Sequence, residues 1–474
     1  MKAFLTRKPV LIALAVVAVL AVAAGVAAYL LVVKDPGDVS NPDVAFEEPT
    51  TTPTTPPEPA EEKPKKPELP KLVDWPRYGY TVEHTRAFQP EKPINGPFRQ
   101  VWKRPTGALA EFPPAIYEGT LYHLIDDGKL LAYAAKTGKT KWTKQLGELA
   151  ASTPAVDEDR IYAVLLEGGE TSGQGKIAAL RRRDGKVVWE KDLPSRAESS
   201  PTLAGGRVYF GSENGTLYAL DADTGREEWT YQASGAIKGS PSLSEGKLYF
   251  GNYGGDVQAV RASDGSLVWK NGVARGTLSS GNFYATAAVA FGRVYIGATD
   301  GREYSLSADT GELAWARQTG GYVYASAAVT DVPGLGPTVF VGSYDRHLHA
   351  LDAKTGETRW TASAPGRISG SPTIVGGTVY FADLDERYTT GVSTKTGKQV
   401  FQRKPGYFDP ITSDGRWLFQ TGGYSVTALR PLSAAVAERR AQRAEEEAKA
   451  KKQRAKAKKQ RAKAKKQRAQ KRGG

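Results

Sequence analysis

Short apolar runs recur through most of this chain, each closed by a glycine turn. The clearest copy is Asn214-Gly-Thr-Leu-Tyr-Ala-Leu-Asp-Ala-Asp-Thr-Gly-Arg-Glu-Glu-Trp229. Within the runs, positions alternate with the period of two that marks a β-strand. Around this copy the pattern predicts four strands, Ser200 to Leu203, Arg207 to Gly211, Thr216 to Leu220 and Arg226 to Thr230. Gly-Gly, Asn-Gly or Thr-Gly pairs lie between them, as hairpin turns with positive φ require. The Thr-Gly or Asp-Gly turn and its aromatic return at Trp142, Trp189, Trp229, Trp269, Trp315, Trp360 and Phe401, each four residues after its glycine. Copies lie 40 to 47 residues apart, the period of a four-stranded propeller blade.

Counting a different strand gives a different number. The second strand, Arg207 to Gly211, has counterparts starting at Thr120, Arg160, Lys247, Arg293, Thr338, Thr378 and Arg416, which makes eight. The eighth aromatic lies upstream: Trp102 precedes Trp142 by 40 residues and is in register. The final repeat, Asp409 to Arg430, holds only three strands. An eight-bladed all-β propeller over residues 98–430 therefore follows, closed by pairing Val101 to Lys103 with those strands.

Outside the ring the pattern changes. Val10 to Val33 is an unbroken apolar run preceded by Lys2, Arg7 and Lys8. It is long enough to span a bilayer core of ~30 Å. The cationic start places residues 1–9 in the cytoplasm and the rest outside. The alternative is a cleaved signal peptide with small residues at Ala21, Ala23 and Ala28. Residues 34–70 carry ten prolines and a threonine cluster. They read as an extended linker that could reach ~110 Å in polyproline geometry. Residues 71–97, with Asp74-Trp75-Pro76 and Arg86, read as a lead-in strap across the domain. Residues 431–474 read as a helical or disordered tail.

Composition sharpens three points. The chain has no cysteine, which excludes disulfides, thiolate metal sites and cysteine nucleophiles. Residues 448–474 hold 14 Lys and Arg and no acid, which equals the formal net charge of +14, so the remainder is neutral. The tail, with Lys451, Lys452, Arg454, Lys458, Lys459, Arg461, Lys465, Lys466 and Arg468, is expected to bind anionic polymers or lipid headgroups by counterion release. It lacks interleaved aromatics, so base stacking is not indicated.

The Ala-x-Asp-x-x-Thr-Gly-x-x-x-Trp pattern of Ala219 to Trp229 and Ala350 to Trp360 resembles the quinoprotein, or pyrroloquinoline quinone (PQQ), propeller repeat. The resemblance spans about residues 74–430. It implies that Trp102, Trp142, Trp189, Trp229, Trp269, Trp315, Trp360 and Phe401 dock each blade on its neighbour. It also makes the Asp74 to Arg86 segment the family's strap. Two departures, Leu180-Arg-Arg182 in the second repeat and Phe401 for Trp, imply looser docking there. The fold serves PQQ- and Ca²⁺-dependent dehydrogenases and also non-enzymatic extracytoplasmic proteins, including a lipoprotein of outer-membrane β-barrel assembly; fold alone does not choose.

The residues lean toward the second group. A cysteine ring over a quinone is impossible here, and no dense Asp/Asn/Glu cluster suggests a hard cation. His347 and His349 share a strand face, but His349 replaces a packing tyrosine, so no metal site is assigned. The entrances of the inner strands place Glu111, Ala150, Glu198, Lys238, Tyr284, Tyr324, Arg367 and Phe408 at one channel mouth, where a ligand or peptide could bind. The reading is a monomeric, single-pass membrane protein whose extracytoplasmic propeller binds envelope protein or polymer without a cofactor. The competing reading is a PQQ- and Ca-dependent dehydrogenase.

Overall fold

The computed structural model describes residues 38–49, 71–167, 173–274, 281–432 and 436. They form eight sheets arranged as successive blades, antiparallel except where Ala87–Phe88 adds parallel to the inner strand of blade 7. Blades 1 to 7 occupy residues 115–145, 155–193, 202–232, 242–271, 288–318, 328–363 and 373–403. Blade 8 combines 411–431 with the upstream strand Phe98–Ala110, which pairs antiparallel with Gly423–Pro431. Trp102 lies opposite Ala428 and Lys103 opposite Thr427. Closure at the expected residues is thus observed, through a strand that runs well beyond the three residues expected.

The alternation seen in the sequence serves two interfaces at once. Each inner sheet is covered on both faces by neighbouring blades, so its middle strands are buried throughout. In blade 3, Phe210, Tyr218 and Leu220 pack with Ile177 and Ala179 of blade 2. The intervening Tyr209, Leu217 and Ala219 pack with Leu248 and Phe250 of blade 4. Only the outer strand, such as Glu227–Gln232, alternates visibly between exposed and half-buried.

The repeated motif builds the contact between blades. Asp221 accepts hydrogen bonds from the backbone N–H (2.8 Å) and hydroxyl (2.6 Å) of Thr224, which folds the turn. Gly225 then takes φ +71°, and the other six turn glycines lie between 68° and 72°. A bulge at this point sets Trp229 opposite Ala219, a residue small enough to leave the indole room. The indole reaches the next blade and donates to the Ala262 carbonyl at 3.2 Å. Its ring covers Gly265, where a side chain would collide with it. The same donation joins Trp102 to Ala135, Trp142 to Arg182, Trp189 to Ala222, Trp269 to Ala308, Trp315 to Ala353 and Trp360 to Thr394, at 2.9 to 3.2 Å.

Of the two departures, Arg182 leaves this geometry intact, because its backbone carbonyl is the acceptor and its side chain lies over Tyr117. Phe401 has a topological cause. It faces blade 8, whose third and fourth strands come from opposite ends of the domain, so no turn glycine exists to receive an indole. Phe401 instead packs edge-on against Phe98, 5.6 Å between ring centroids.

Two segments brace the ring. The strap crosses the lower face, where its backbone carbonyls accept N–H bonds from the inner strands of six blades, Trp75 taking one from Ile116 of blade 1. Pro76 takes one from Val156, Val82 from Leu243, Glu83 from Val289, Thr85 from Val329 and Arg86 from Ile374. The second brace departs from the sequence reading. Residues 38–49, counted there with the linker, are seated on blade 5. Val39–Ser40 adds a fifth strand beside Leu313–Gln318. Val44 is buried, and the Arg293 guanidinium donates to the Val44 and Ala45 carbonyls. The rest of the linker, the predicted span at 10–33 and the basic tail lie outside the described residues. Among the described residues no helix is long and apolar enough to cross a membrane.

Some interior positions break the apolar rule, Gln258 and Glu303 among them. Glu303 stands where Leu217 stands in blade 3, fully buried, with neither carboxylate oxygen hydrogen-bonded. Burial raises its pKa well above the ordinary 4.5. The folded state therefore holds this proton more tightly than the unfolded chain does. Its contribution is most favourable below about pH 4.5 and is lost as pH rises above it.

Two outcomes are expected. Gly225→Ala, whose new methyl would lie 2.5 Å from the Trp189 ring, should cost about 3 kcal/mol in denaturant unfolding. Gly206→Ala, at φ +75° with open space around it, should cost only about 1 kcal/mol. Equal losses would show that the indole contact carries no weight. Glu303→Leu should stabilise the protein by about 1–3 kcal/mol at pH 7 and flatten the pH dependence of its unfolding midpoint. A variant no more stable than the parent would contradict this account.

Candidate functional site

The channel between the inner strands is lined by hydroxyls that tie each blade to the next. Ser200 Oγ accepts from the Thr153 N–H, Thr286 Oγ1 from Ser240, Ser326 Oγ from Thr286 and Ser371 Oγ from Ser326, all at 2.8 to 3.0 Å. The Ser371 N–H donates to Asp409. Small polar residues fit here because the strands converge on the axis, leaving no volume for large side chains.

The strap closes the lower end. The Tyr78 hydroxyl lies 2.9 Å from Ser371 Oγ. The Arg86 guanidinium donates to Asp409 at 2.9 Å and to the Pro372 carbonyl at 2.8 Å. Both partners of this ion pair are buried. Burial pushes the Asp409 carboxyl up, and Arg86 with the Ser371 donors pulls it back. Single-partner loss at such a pair leaves an unmatched buried charge, so the plug is fixed in place. His84 Nδ1 lies 2.9 Å from Ser242 Oγ. Burial, reinforced by Arg77 and Arg86, lowers its pKa to about 3, so it is neutral at physiological pH.

Above this floor opens a cavity of about 290 Å³ at the upper face. Its lining brings together Glu111, Glu198, Lys238, Tyr284, Tyr324 and Phe408, six of the mouth residues expected from the sequence. Arg367 stands outside the lining, held by Asp385 at 2.7 Å and lying over the Tyr344 ring. Ala150 is buried. Tyr253 and Tyr344 also line the cavity and were missed. They come from the turns between second and third strands, which reach the same face. An aromatic in a turn position that holds Glu213 in blade 3 was the available signal.

The mouth has two characters. One side is aromatic: Tyr324 lies 5.8 Å from Tyr284, 5.1 Å from Tyr344 and 6.0 Å from the exposed Tyr322. The other side is charged. Lys238 Nζ bridges Glu198 at 2.9 Å and Glu213 at 2.8 Å. Burial alone would lower the amine, but the two carboxylates outweigh it and hold it protonated. Burial raises Glu111, and Glu198 and Asp409 add to the rise. Partial burial, with Glu111 beside it, raises Asp126 to about 7.

His123 is enclosed between Tyr133 and the Phe112 carbonyl and lowered to about 4 by burial, which removes it as a base near neutrality. His347 and His349 both turn to Asp345. Among the described residues no group of three or more His, Cys, Asp or Glu is placed to hold a metal ion. PQQ, a quinone tricarboxylate, calls for cations and an acidic calcium site together. The cavity offers one ammonium, Lys238, already neutralised by two carboxylates, and further carboxylates that would repel it. These residues do not fit the cofactor.

Comparison with known proteins places this ring. The family model described as outer membrane protein assembly factor BamB matches residues 98–172, 169–332 and 325–461. No curated protein sequence matches significantly. Among solved structures, BamB from Moraxella catarrhalis is similar at 18% identity and a TM-score of 0.58, covering 70% of this chain and 100% of its own. Quinohemoprotein alcohol dehydrogenase from Comamonas testosteroni aligns at 13% identity and a TM-score of 0.64, over 76% of this chain and 81% of its own. The computationally designed Ika8 protein aligns at 13% identity and 0.58, over 69% and 98%. At these identities the structures share the fold alone. The family model spans most of the chain, and the chain belongs to the outer membrane protein assembly factor BamB family.

Proposed function

We propose that this protein is a membrane-anchored, extracytoplasmic binding and scaffolding propeller that seats a segment of an envelope protein or polymer in its channel mouth. The observation that carries this reading is the cavity itself. It is closed below by a fixed plug and walled by tyrosines on one side and by Lys238 with its carboxylate partners on the other, and among the described residues its histidines and carboxylates form no metal-holding group. Tyrosine offers a rigid apolar face with a polar tip, the side chain most suited to gripping varied partners. The name carried by the family, an assembly factor, agrees with a role that is not catalytic. The basic tail is assigned a second contact, with anionic polymer or lipid headgroups.

The rival reading, a PQQ- and calcium-dependent dehydrogenase, draws support from the fold shared with the alcohol dehydrogenase. The donor set at the mouth disfavours it.

Two measurements separate these readings. Titration of the purified protein with PQQ and Ca²⁺ should give no stoichiometric binding; saturable binding with dye reduction would overturn the scaffold. Photo-crosslinking in cells should yield adducts from the mouth that Tyr284→Ala with Tyr324→Ala lowers at least severalfold, while a chain lacking residues 448–474 retains them. Adducts that vanish with the tail and ignore the tyrosines would move the binding site to the tail.

A further inference from the structure

The two faces of the propeller are distinguishable by connectivity. Inner-strand entrances and the turns between second and third strands lie on the upper, mouth face. The strap and the turns carrying Gly225 and its counterparts lie on the lower face. Residues 38–49 run between them along blade 5. Glu47 donates its N–H to the Phe291 carbonyl beside the lower turn, and Glu48 pairs with Lys354 at 2.8 Å in the lower turn of blade 6. Ser40 lies opposite Trp315 and Val39 opposite Ala316, one step higher each. Asp38 ends the run at the top, where it accepts from the Gln318 N–H at 2.9 Å and pairs with Arg317. Followed toward the N-terminus, the chain leaves the propeller at the mouth face.

We propose that this segment holds the channel mouth toward the membrane, with the tyrosine rim of blades 5 and 6 against lipid headgroups. The proposal rests on reading residues 10–33 as the membrane span, and adds an orientation to it. Asp38 follows Val33 by five residue steps. A fully extended chain crosses about 17 Å in that length, against the ~110 Å that an undocked linker would allow. The lower face lies a further ~20 Å away, the length of a five- to six-residue strand. A tether this short therefore keeps the upper rim of blade 5 near the bilayer.

The rim has the chemistry of a membrane interface. Gln318 leads within four residues to Tyr322, which is 54% exposed and is the outermost member of the Tyr322, Tyr324 and Tyr344 cluster. Arg367 lies over the Tyr344 ring with its side chain half exposed. Tyrosines settle at headgroup level, with the ring toward the acyl boundary and the hydroxyl in water. The Arg367 guanidinium beside them is paired with Asp385, so the tyrosines carry the lipid contact. The cavity then opens toward the membrane, and the lower face, from which residue 432 departs, points away.

The absence of native cysteine makes the test direct. Full-length Tyr322→Cys and Asp309→Cys, the latter on an exposed lower turn of the same blade, would each carry a fluorescent donor. They would be reconstituted in phosphatidylethanolamine and phosphatidylglycerol vesicles with a headgroup acceptor. Energy transfer should be severalfold stronger from position 322. Adding Val44→Asp, which puts a charge beneath the docked segment, should erase most of that difference while circular dichroism shows the propeller intact. Equal or reversed transfer in carbonate-resistant protein overturns the orientation alone. Loss of the protein from carbonate-washed vesicles overturns the anchor, and the orientation with it. An orientation seen in native membranes but not in protein-free vesicles overturns the lipid contact in favour of a membrane protein.

Discussion

The contact between a tryptophan and the glycine of the next blade governs this structure. A glycine at φ near +70° can turn the chain sharply, and its missing side chain leaves a flat patch of backbone. The preceding blade lays its indole on that patch and donates to a nearby carbonyl. Each contact thus fixes a turn within one blade and the angle to another. The motif residues serve it directly: Asp221 and Thr224 shape the turn, and Ala219 leaves room opposite the ring. Where closure removes the turn, the indole has nothing to cover, and Phe401 takes its place against Phe98.

Regular docking also decides what the axis can hold. Eight blades converge on strands of serine, threonine and alanine whose backbone N–H groups are satisfied by the neighbouring hydroxyl. The axis therefore becomes a polar channel, and the strap fills its lower end. The upper mouth is the end of the channel left open, and its side chains come from short lead-ins that the blades position without using them for packing. That freedom explains why the mouth varies from blade to blade, Glu198, Lys238, Tyr284 and Tyr324 in succession, while the strands beneath it repeat.

Much of this was legible in the sequence because the repeat fixes register. Once Trp102 is aligned with Trp142, every inner-strand entrance follows by counting, and six mouth residues fall into place. Arg367 occupies its counted position but is drawn aside by Asp385, a partner outside the motif. Tyr253 and Tyr344 escaped notice because a turn was read for its glycine and not for the direction of its side chains. Glu303 escaped too: its burial depends on the opposed blade, and a single carboxylate in a strand looks like ordinary alternation.

The docked segment 38–49 was hidden by its own composition, since prolines and acids dominate it and a linker is the natural reading. The information lay on the other partner. The other outer strands carry at least one polar residue beside their tryptophan, and often two, as in Lys141-Trp142-Thr143 and Glu228-Trp229-Thr230. Blade 5 has Ala314-Trp315-Ala316 instead, and all three are buried. An edge strand with an apolar flank is an aggregation hazard unless something covers it. Val39, Val44 and Phe46 supply that cover, and the sheet edge in return satisfies backbone groups that proline-rich composition cannot satisfy internally. Neither sequence specifies the pairing alone. The alanines on blade 5 make sense with the segment present, and the segment docks there because that outer edge is apolar where others are polar.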